Sequence, residues 1–271
     1  MHDQPQAPPL PTLAQLGPDL VAIGPLRRAW TLALPFASLA SYLFLAASGF
    51  WIPAVGVVMY LSFLTYGSIS HDLVHRALGL PRPVNESFLT AIELLAFRSG
   101  HAYRLAHLQH HARFPHDDDV EGAAARMPFW RALLEGFIYI PRLTLWALRT
   151  PHRRRRLVIA EVVAACGLFV ACLAVIPVTP LFAVYAALMV MGTWVFPLVT
   201  AYLPHNAHGP TPLTRTRLFR GKVLAILAMQ HLYHLEHHLY PSVPHHHWPT
   251  LARRLDPYFA AAKIDPIVLG F

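Results

Sequence analysis

Acidic side chains and cysteines are scarce in this sequence. Only 14 of its 271 residues are Asp or Glu, against 22 Lys and Arg, and charged residues of all kinds make up 13%. A soluble domain ordinarily carries about 25%. The two cysteines, Cys166 and Cys172, stand six apart in one apolar run, on different faces of any helix formed there, so they cannot bridge each other. They are also too few for a haem or iron–sulfur framework and serve as small apolar residues. The first 26 residues lack a basic stretch followed by an apolar one, which argues against a cleaved signal peptide. No motif for nucleic-acid recognition accompanies the basic excess.

What is abundant is apolar sequence. Hydrophobic residues reach 55%, and the mean hydropathy is +0.40, the composition of a membrane protein. Four runs are long enough to span a bilayer, over about 30–50, 51–70, 157–176 and 181–204. The first two meet around Gly49 and Pro53, the last two around Pro177 and Pro180, so they are expected to form two tight helical hairpins. Neither joint carries a charge, whereas Arg153 to Arg156 stand at the entry of the third run. The positive-inside rule then places both termini and the middle segment in the cytoplasm, as for an integral protein of a bacterial inner membrane. Residues 1–26 are expected to be a cytosolic arm, 27–258 the membrane domain and 259–271 a tail. The net charge of +8 suits anionic headgroups and an acidic redox partner.

Eighteen histidines stand against this background. His71 and His75 form an HxxxH pair, His107, His110 and His111 an HxxHH triplet, and His234, His237 and His238 a second such triplet. Residues four apart on a helix differ by about 40° around its axis, and those three apart by about 60° the other way. Each cluster therefore offers two or three nitrogens to one side, enough together to surround two ions. Imidazole suits iron, copper, nickel and zinc. A lone histidine is ordinarily a polar surface residue, but three spaced clusters are not explained that way.

The clusters sit on expected helices: box one continues the second span, box two lies near Tyr103–Ala112, and box three near Val223–Leu239, stopped by Pro241 and Pro244. Interfacial helices are expected around Glu86–Phe97 and Pro128–Leu148. Other polar residues fall close by. His205 follows the fourth span, with His208 as a competitor. His231 precedes His234 on the same helix face, as an extra ligand or a donor behind one. Asp118, in the run His116-Asp117-Asp118-Asp119, offers a carboxylate to box-two imidazoles. Glu236 suits a supporting or ion-pair role. His101 is more naturally structural, and His245, His246 and His247 surface or headgroup contacts. A zinc hydrolase normally shows HExxH, but Glu236 falls immediately before His237 and breaks that pattern. A metal transporter places ligands at mid-membrane, yet the spans hold no histidine and a single acid, Glu161.

The motifs HDLVH, HLQHH and HLEHHLYPSVP, with four spans between and around them, resemble the membrane fatty acid desaturase and hydroxylase superfamily over Trp30 to Tyr258. The resemblance implies an all-α integral membrane fold, with four transmembrane helices under a helical cytosolic cap. It implies a non-haem di-iron centre of two iron ions that uses O2 and electrons from an external donor of ferredoxin or cytochrome type. By motif, the ligands are His71, His75, His107, His110, His111, His234, His237 and His238, with His205 as the supplementary ligand. The implied activity is oxidation of a bilayer-resident lipid: fatty acyl desaturation, or alternatively carotenoid hydroxylation or ketolation. Stearoyl-type desaturases carry Asn four residues before the supplementary histidine, where this chain has Ala201. The run Tyr202-Leu203-Pro204-His205 is similar to carotenoid ketolases and hydroxylases. Tyr60, Tyr66, Trp194 and Tyr202 are candidates to line a substrate tunnel.

Overall fold

The computed structural model of the chain describes residues 8–221, 223–227 and 230–269. Asp3, Lys222, the centre of the expected Val223–Leu239 helix and the last two residues of the tail lie outside the described residues. Four helices are long and apolar enough to cross a membrane. The first reaches Ala47 from a regular start at Pro25, where a missing N–H and a preset φ suit the first helical position. The second runs from Trp51 to His75, the third from Arg155 to Ala174 and the fourth from Leu181 to Tyr202. The second is the most enclosed, with 56% of its most apolar window buried, and the third the least, with 17%. Box one is thus carried by the span that the rest of the protein surrounds.

Hydrogen bonds from the spans use donors that would otherwise be stranded in apolar surroundings, one reaching another span and one the end of the helix before box two. Tyr42 donates to the Leu181 carbonyl at 2.6 Å, and Tyr185 to that of Leu95 at 2.7 Å. Around them pack Ala46, Ala54, Val58, Leu61 and Met189. The second and fourth spans each contain one wide π-helical turn, at Thr65–Ile69 and Pro197–Tyr202. Such turns shift the register of everything after them and recur near functional sites. Here each precedes a histidine of interest, His71 in one case and His205 in the other.

The middle segment departs from expectation in its boundaries. The helix expected from Glu86 starts earlier, at Arg82, and ends at Leu95, while Phe97 turns into the left-handed region at φ 56°. Box two lies on Gly100–Arg113, started by the Ser99 hydroxyl accepting the Ala102 N–H at 3.1 Å. The expected Pro128–Leu148 helix is broken into Phe129–Leu134, a tight turn at Glu135–Phe137, and Tyr139–Arg149. Gly136 sits at the break, where a Cβ would lie 2.0 Å from the Trp194 carbonyl oxygen. The chain has to approach the fourth span that closely, and a straight helix does not.

Glu161, the one acid of the third span, is fully engaged. It accepts from the Ser99 hydroxyl at 2.6 Å, the His101 N–H at 3.0 Å and His101 Nδ1 at 2.7 Å, and also from Thr90. His101 turns its other nitrogen to Glu86 at 2.7 Å. Glu86 also pairs with Arg104 at 2.6 Å, Arg76 at 3.0 Å and Arg154. His101 is therefore the structural link between the third span and the box-two helix.

Burial alone would raise the Glu86 carboxyl, but Arg154, His101 and Arg104 hold it well below the usual carboxylate range. A depressed folded pKa contributes stability above the unfolded value of about 4.3 and loses it as pH falls. The wild type is expected to lose thermal stability from about pH 5 downward, and Glu86→Gln to melt about 2–4 °C lower at pH 7 with a flatter acid limb. An acid profile in Glu86→Gln as steep as the wild type's contradicts this assignment.

The expected Val223–Leu239 helix is not continuous, and box three lies whole on its last part, His234–Leu239. Val223–Leu227 and His234–Leu239 are separate short helices. Between them Gln230 adopts φ 67°, and its N–H bonds back to the Ala225 carbonyl at 2.6 Å, a helix-ending geometry. The second of these helices is held from outside. Leu16 and Leu20 of the N-terminal segment pack with Leu235, Trp248, Leu251 and Leu255, and Arg254 pairs with Asp19 at 2.7 Å. After the helix Trp248–Ala261, Ile267–Val268 pairs in parallel with Phe219–Arg220.

Candidate metal centre

The nine histidines singled out by motif come from four stretches of the chain and converge in two groups. His71, His75, His107, His111 and His237 form one, and His110, His205, His234 and His238 the other. Within each group, one ring nitrogen from every member lies within 4.8 Å of all the rest. Helix geometry explains the division. Every pair four apart, His71 with His75, His107 with His111 and His234 with His238, stays in one group. The residue three along, His110 or His237, points about 100° away from its neighbour and crosses to the other. Each HxxHH triplet thereby bridges both groups.

The contacts inside the groups are nitrogen to nitrogen. In the first, His71 Nε2 lies 3.0 Å from His237 Nε2, which is 2.9 Å from His111 Nε2, itself 3.1 Å from His107 Nε2. In the second, His110 Nε2 lies 3.1 Å from His205 Nε2, which is 3.0 Å from His238 Nε2, itself 3.1 Å from His234 Nε2. An imidazole nitrogen has one in-plane lone pair or one hydrogen. His237, His111, His205 and His238 each face two partners through a single Nε2, more than hydrogen bonding alone satisfies.

The far side of several rings is engaged so as to leave Nε2 bare. His110 Nδ1 donates to Asp119 Oδ2 at 2.8 Å, His107 Nδ1 to Glu121 Oε2 at 3.0 Å, and His205 Nδ1 to the Ala201 carbonyl at 2.9 Å. These partners select the tautomer with its hydrogen on Nδ1. Burial, reinforced by neighbouring imidazoles, holds His111, His205, His234, His237 and His238 well below the ordinary imidazole range. They are neutral near pH 7. Burial works the same way on His110, but the Asp119 carboxylate outweighs it and leaves that ring raised.

Asp119 is placed by its own loop. Its Oδ1 accepts the N–H groups of Glu121 and Gly122 at 3.1 and 3.0 Å. Gly122 is required there, since a Cβ would lie 2.2 Å from Asp119 Oδ2 and 2.9 Å from His110 Nδ1. Glu121 also accepts from the Tyr66 hydroxyl at 2.7 Å, and Tyr66 in turn meets Tyr139 at 2.9 Å. Trp248 closes one flank, with its ring 5.4 Å from His71 and 5.1 Å from His237.

Other candidates fall elsewhere. Asp118 is exposed and pairs with Arg113 at 2.9 Å, so its neighbour Asp119 takes the position behind box two. His208 is exposed and stands apart from both groups. Glu236 is fully buried and meets Arg220 at 2.6 Å; burial raises its carboxyl to about 7 against the pull of that guanidinium. His245, expected at the surface, is buried: Asp72 accepts its backbone N–H at 3.0 Å and its Nδ1–H at 2.7 Å. That contact ties the end of box three to box one. His246 stands beside this pair, and His247 Nδ1 bonds the Leu20 carbonyl at 2.8 Å.

His231 belongs to neither group but packs on His234, ring centres 4.8 Å apart. Burial lowers its pKa to about 4. Of the expected tunnel residues, Tyr66 borders the small space at the histidines. Trp194 lines a separate cavity beside Phe137 and Met191, and Tyr60 a shallow groove between the first and second spans. The carboxylate Glu121, the glycine at 122 and Trp248 had no periodic signal in the sequence. Their only clue was proximity to a box, which many residues share.

No curated protein matches the chain. A family model described as fatty acid desaturase matches residues 48–266. The match begins just before the second span and takes in all nine converging histidines, so the chain belongs to the fatty acid desaturase family.

Proposed function

We propose that each histidine group holds one iron ion, and that the protein uses O2 and electrons from an external ferredoxin- or cytochrome-type donor to desaturate a fatty acyl chain in the membrane. The spacing of the ring nitrogens carries this reading. Six of the nitrogen pairs lie at 2.9–3.1 Å, and all members of a group fall within 4.8 Å of one another, close enough to share one ion. All-imidazole donors suit iron. Iron so bound supplies the activation of O2 and the removal of hydrogen from an unactivated C–H bond.

The chain's own residues do the rest. His71, His75, His107, His111 and His237 bind one ion; His110, His205, His234 and His238 bind the other. Asp119, Glu121 and the Ala201 carbonyl orient three of the rings. Trp248, Tyr103 and Phe114 exclude water beside them. Substrate comes from the bilayer through the apolar cavity between the second and fourth spans, where Phe63, Val199 and Leu203 stand. In this proposal the spans form two hairpins, and the box-bearing segments form a cap on their cytosolic side, because the basic residues gather there and the joints are uncharged.

The test is expression in a host that makes both acyl lipids and β-carotene, with mass spectrometry of lipids and pigments beside metal analysis. Loss of two hydrogens from acyl chains and about two irons per chain support the proposal. Oxygen added to carotene instead assigns the carotenoid branch, which the run Tyr202-Leu203-Pro204-His205 resembles. Stoichiometric zinc with activity indifferent to iron chelation sinks both.

A further inference from the structure

The apolar cavity and the histidine centre meet at one side chain. A cavity of roughly 480 Å³ is walled by Phe63, Val199, Leu203, Phe219, Leu227 and Leu232, together with His231. Its size falls in the range of ordinary ligand sites. Among the described lining residues, His231 alone has a side chain able to hydrogen-bond. The same ring borders the narrow space at the metal centre, alongside His71, His107, His110 and His234. His231 is 6% exposed, and neither of its nitrogens has a well-formed hydrogen bond among the described residues. The Gly67 backbone interacts with one side of the ring.

A buried polar nitrogen without a partner is costly to keep, and sites that contain one favour ligands that satisfy it. Phe63 meets the ring edge-on at 6.1 Å between centres, which restrains it between the two spaces. Resting on the lipid-oxidation reading above, we propose that His231 hydrogen-bonds an oxygen of the substrate at the inner end of this cavity. The substrate is then a long-chain lipid bearing a hydroxyl, carbonyl or ester oxygen near the carbon that reacts, not a bare hydrocarbon segment. Apolar walls hold the chain, and the imidazole sets how far it enters, which fixes the carbon presented to the histidine groups. His231 is a positioning residue in this scheme.

Binding tests this apart from turnover. The full-length protein in lipid nanodiscs, kept under argon, is given radiolabelled 1-hexadecanol or hexadecane, with empty nanodiscs as the blank. Wild type is expected to retain the alcohol about tenfold better than the hydrocarbon after that correction. His231→Phe is expected to bring the ratio near one, and His231→Gln, which keeps a donor and an acceptor, to restore most of it. A wild-type ratio near one, or an unchanged ratio in His231→Phe, overturns the proposal. So does a drop in iron per chain in His231→Gln, which makes the ring a ligand. Metal-stripped wild type is expected to give the same ratio, so failure of the iron assignment leaves this result standing, and failure here leaves the iron content untouched.

Discussion

A His237→Ala protein is expected to fold, to carry about one iron where the wild type carries two, and to lose oxidation of lipid by at least about 100-fold. His237 Nε2 lies 3.0 Å from His71 Nε2 and 2.9 Å from His111 Nε2, so its loss opens the middle of the first group. Folding survives because the ring is neutral and its Nδ1 has no hydrogen-bond partner among the described residues, so no buried ion pair is broken. His238→Ala is the counterpart for the second group, where Nε2 stands 3.0 Å from His205 and 3.1 Å from His234. His246→Ala, outside both groups, is expected to keep both irons and most activity. Iron counting with circular dichroism checks all three. Full iron in His237→Ala, or equal loss in His246→Ala, would falsify the ligand assignment.

Asp119→Asn and Glu121→Gln are expected to weaken iron binding by about 10–100-fold while leaving every ligand in place. Asp119 is completely buried, and both of its oxygens are committed: one to His110, the other to two backbone N–H groups. Burial alone would raise this carboxyl, yet His110 and the Gly122 N–H bring it below the usual range, so it is ionised and strengthens the imidazole it faces. Glu121 does the same for His107, with the Tyr66 hydroxyl fixing its other oxygen. The two variants separate the groups, since Asp119 serves a ring of the second and Glu121 a ring of the first. Gly122→Ala is expected to mimic Asp119→Asn, because the added methyl takes the space of Asp119 Oδ2. Titration with a graded series of chelators measures this. Iron held as firmly in these variants as in the wild type rules out a tuning role for the carboxylates.

The histidine boxes were legible in the sequence because their spacing is a helix period, and the period determines which rings look the same way. The spans were legible because a bilayer demands a run of apolar residues, and their starts and ends shifted by only a few positions. Box three was legible as a motif on a helix ending at Leu239, but the length of that helix was not: it starts only at His234. The break at Gln230 depends on how the chain must turn to reach the centre, not on any local breaker such as Gly or Pro. Asp118 and Asp119 are neighbours of the same chemistry, so only the loop that buries one and exposes the other distinguishes them.

The sequence by itself determined the histidine clusters, their pairing four apart and the apolar runs around them. Tertiary structure alone decided which rings from different boxes come together and what stands behind them. His110 meets His205 across 95 positions of chain, and His245 meets Asp72 across 173. Local periodicity carries information over a few turns of helix, whereas contacts at such separations exist only after the spans, the N-terminal segment and the last helix have packed around the site.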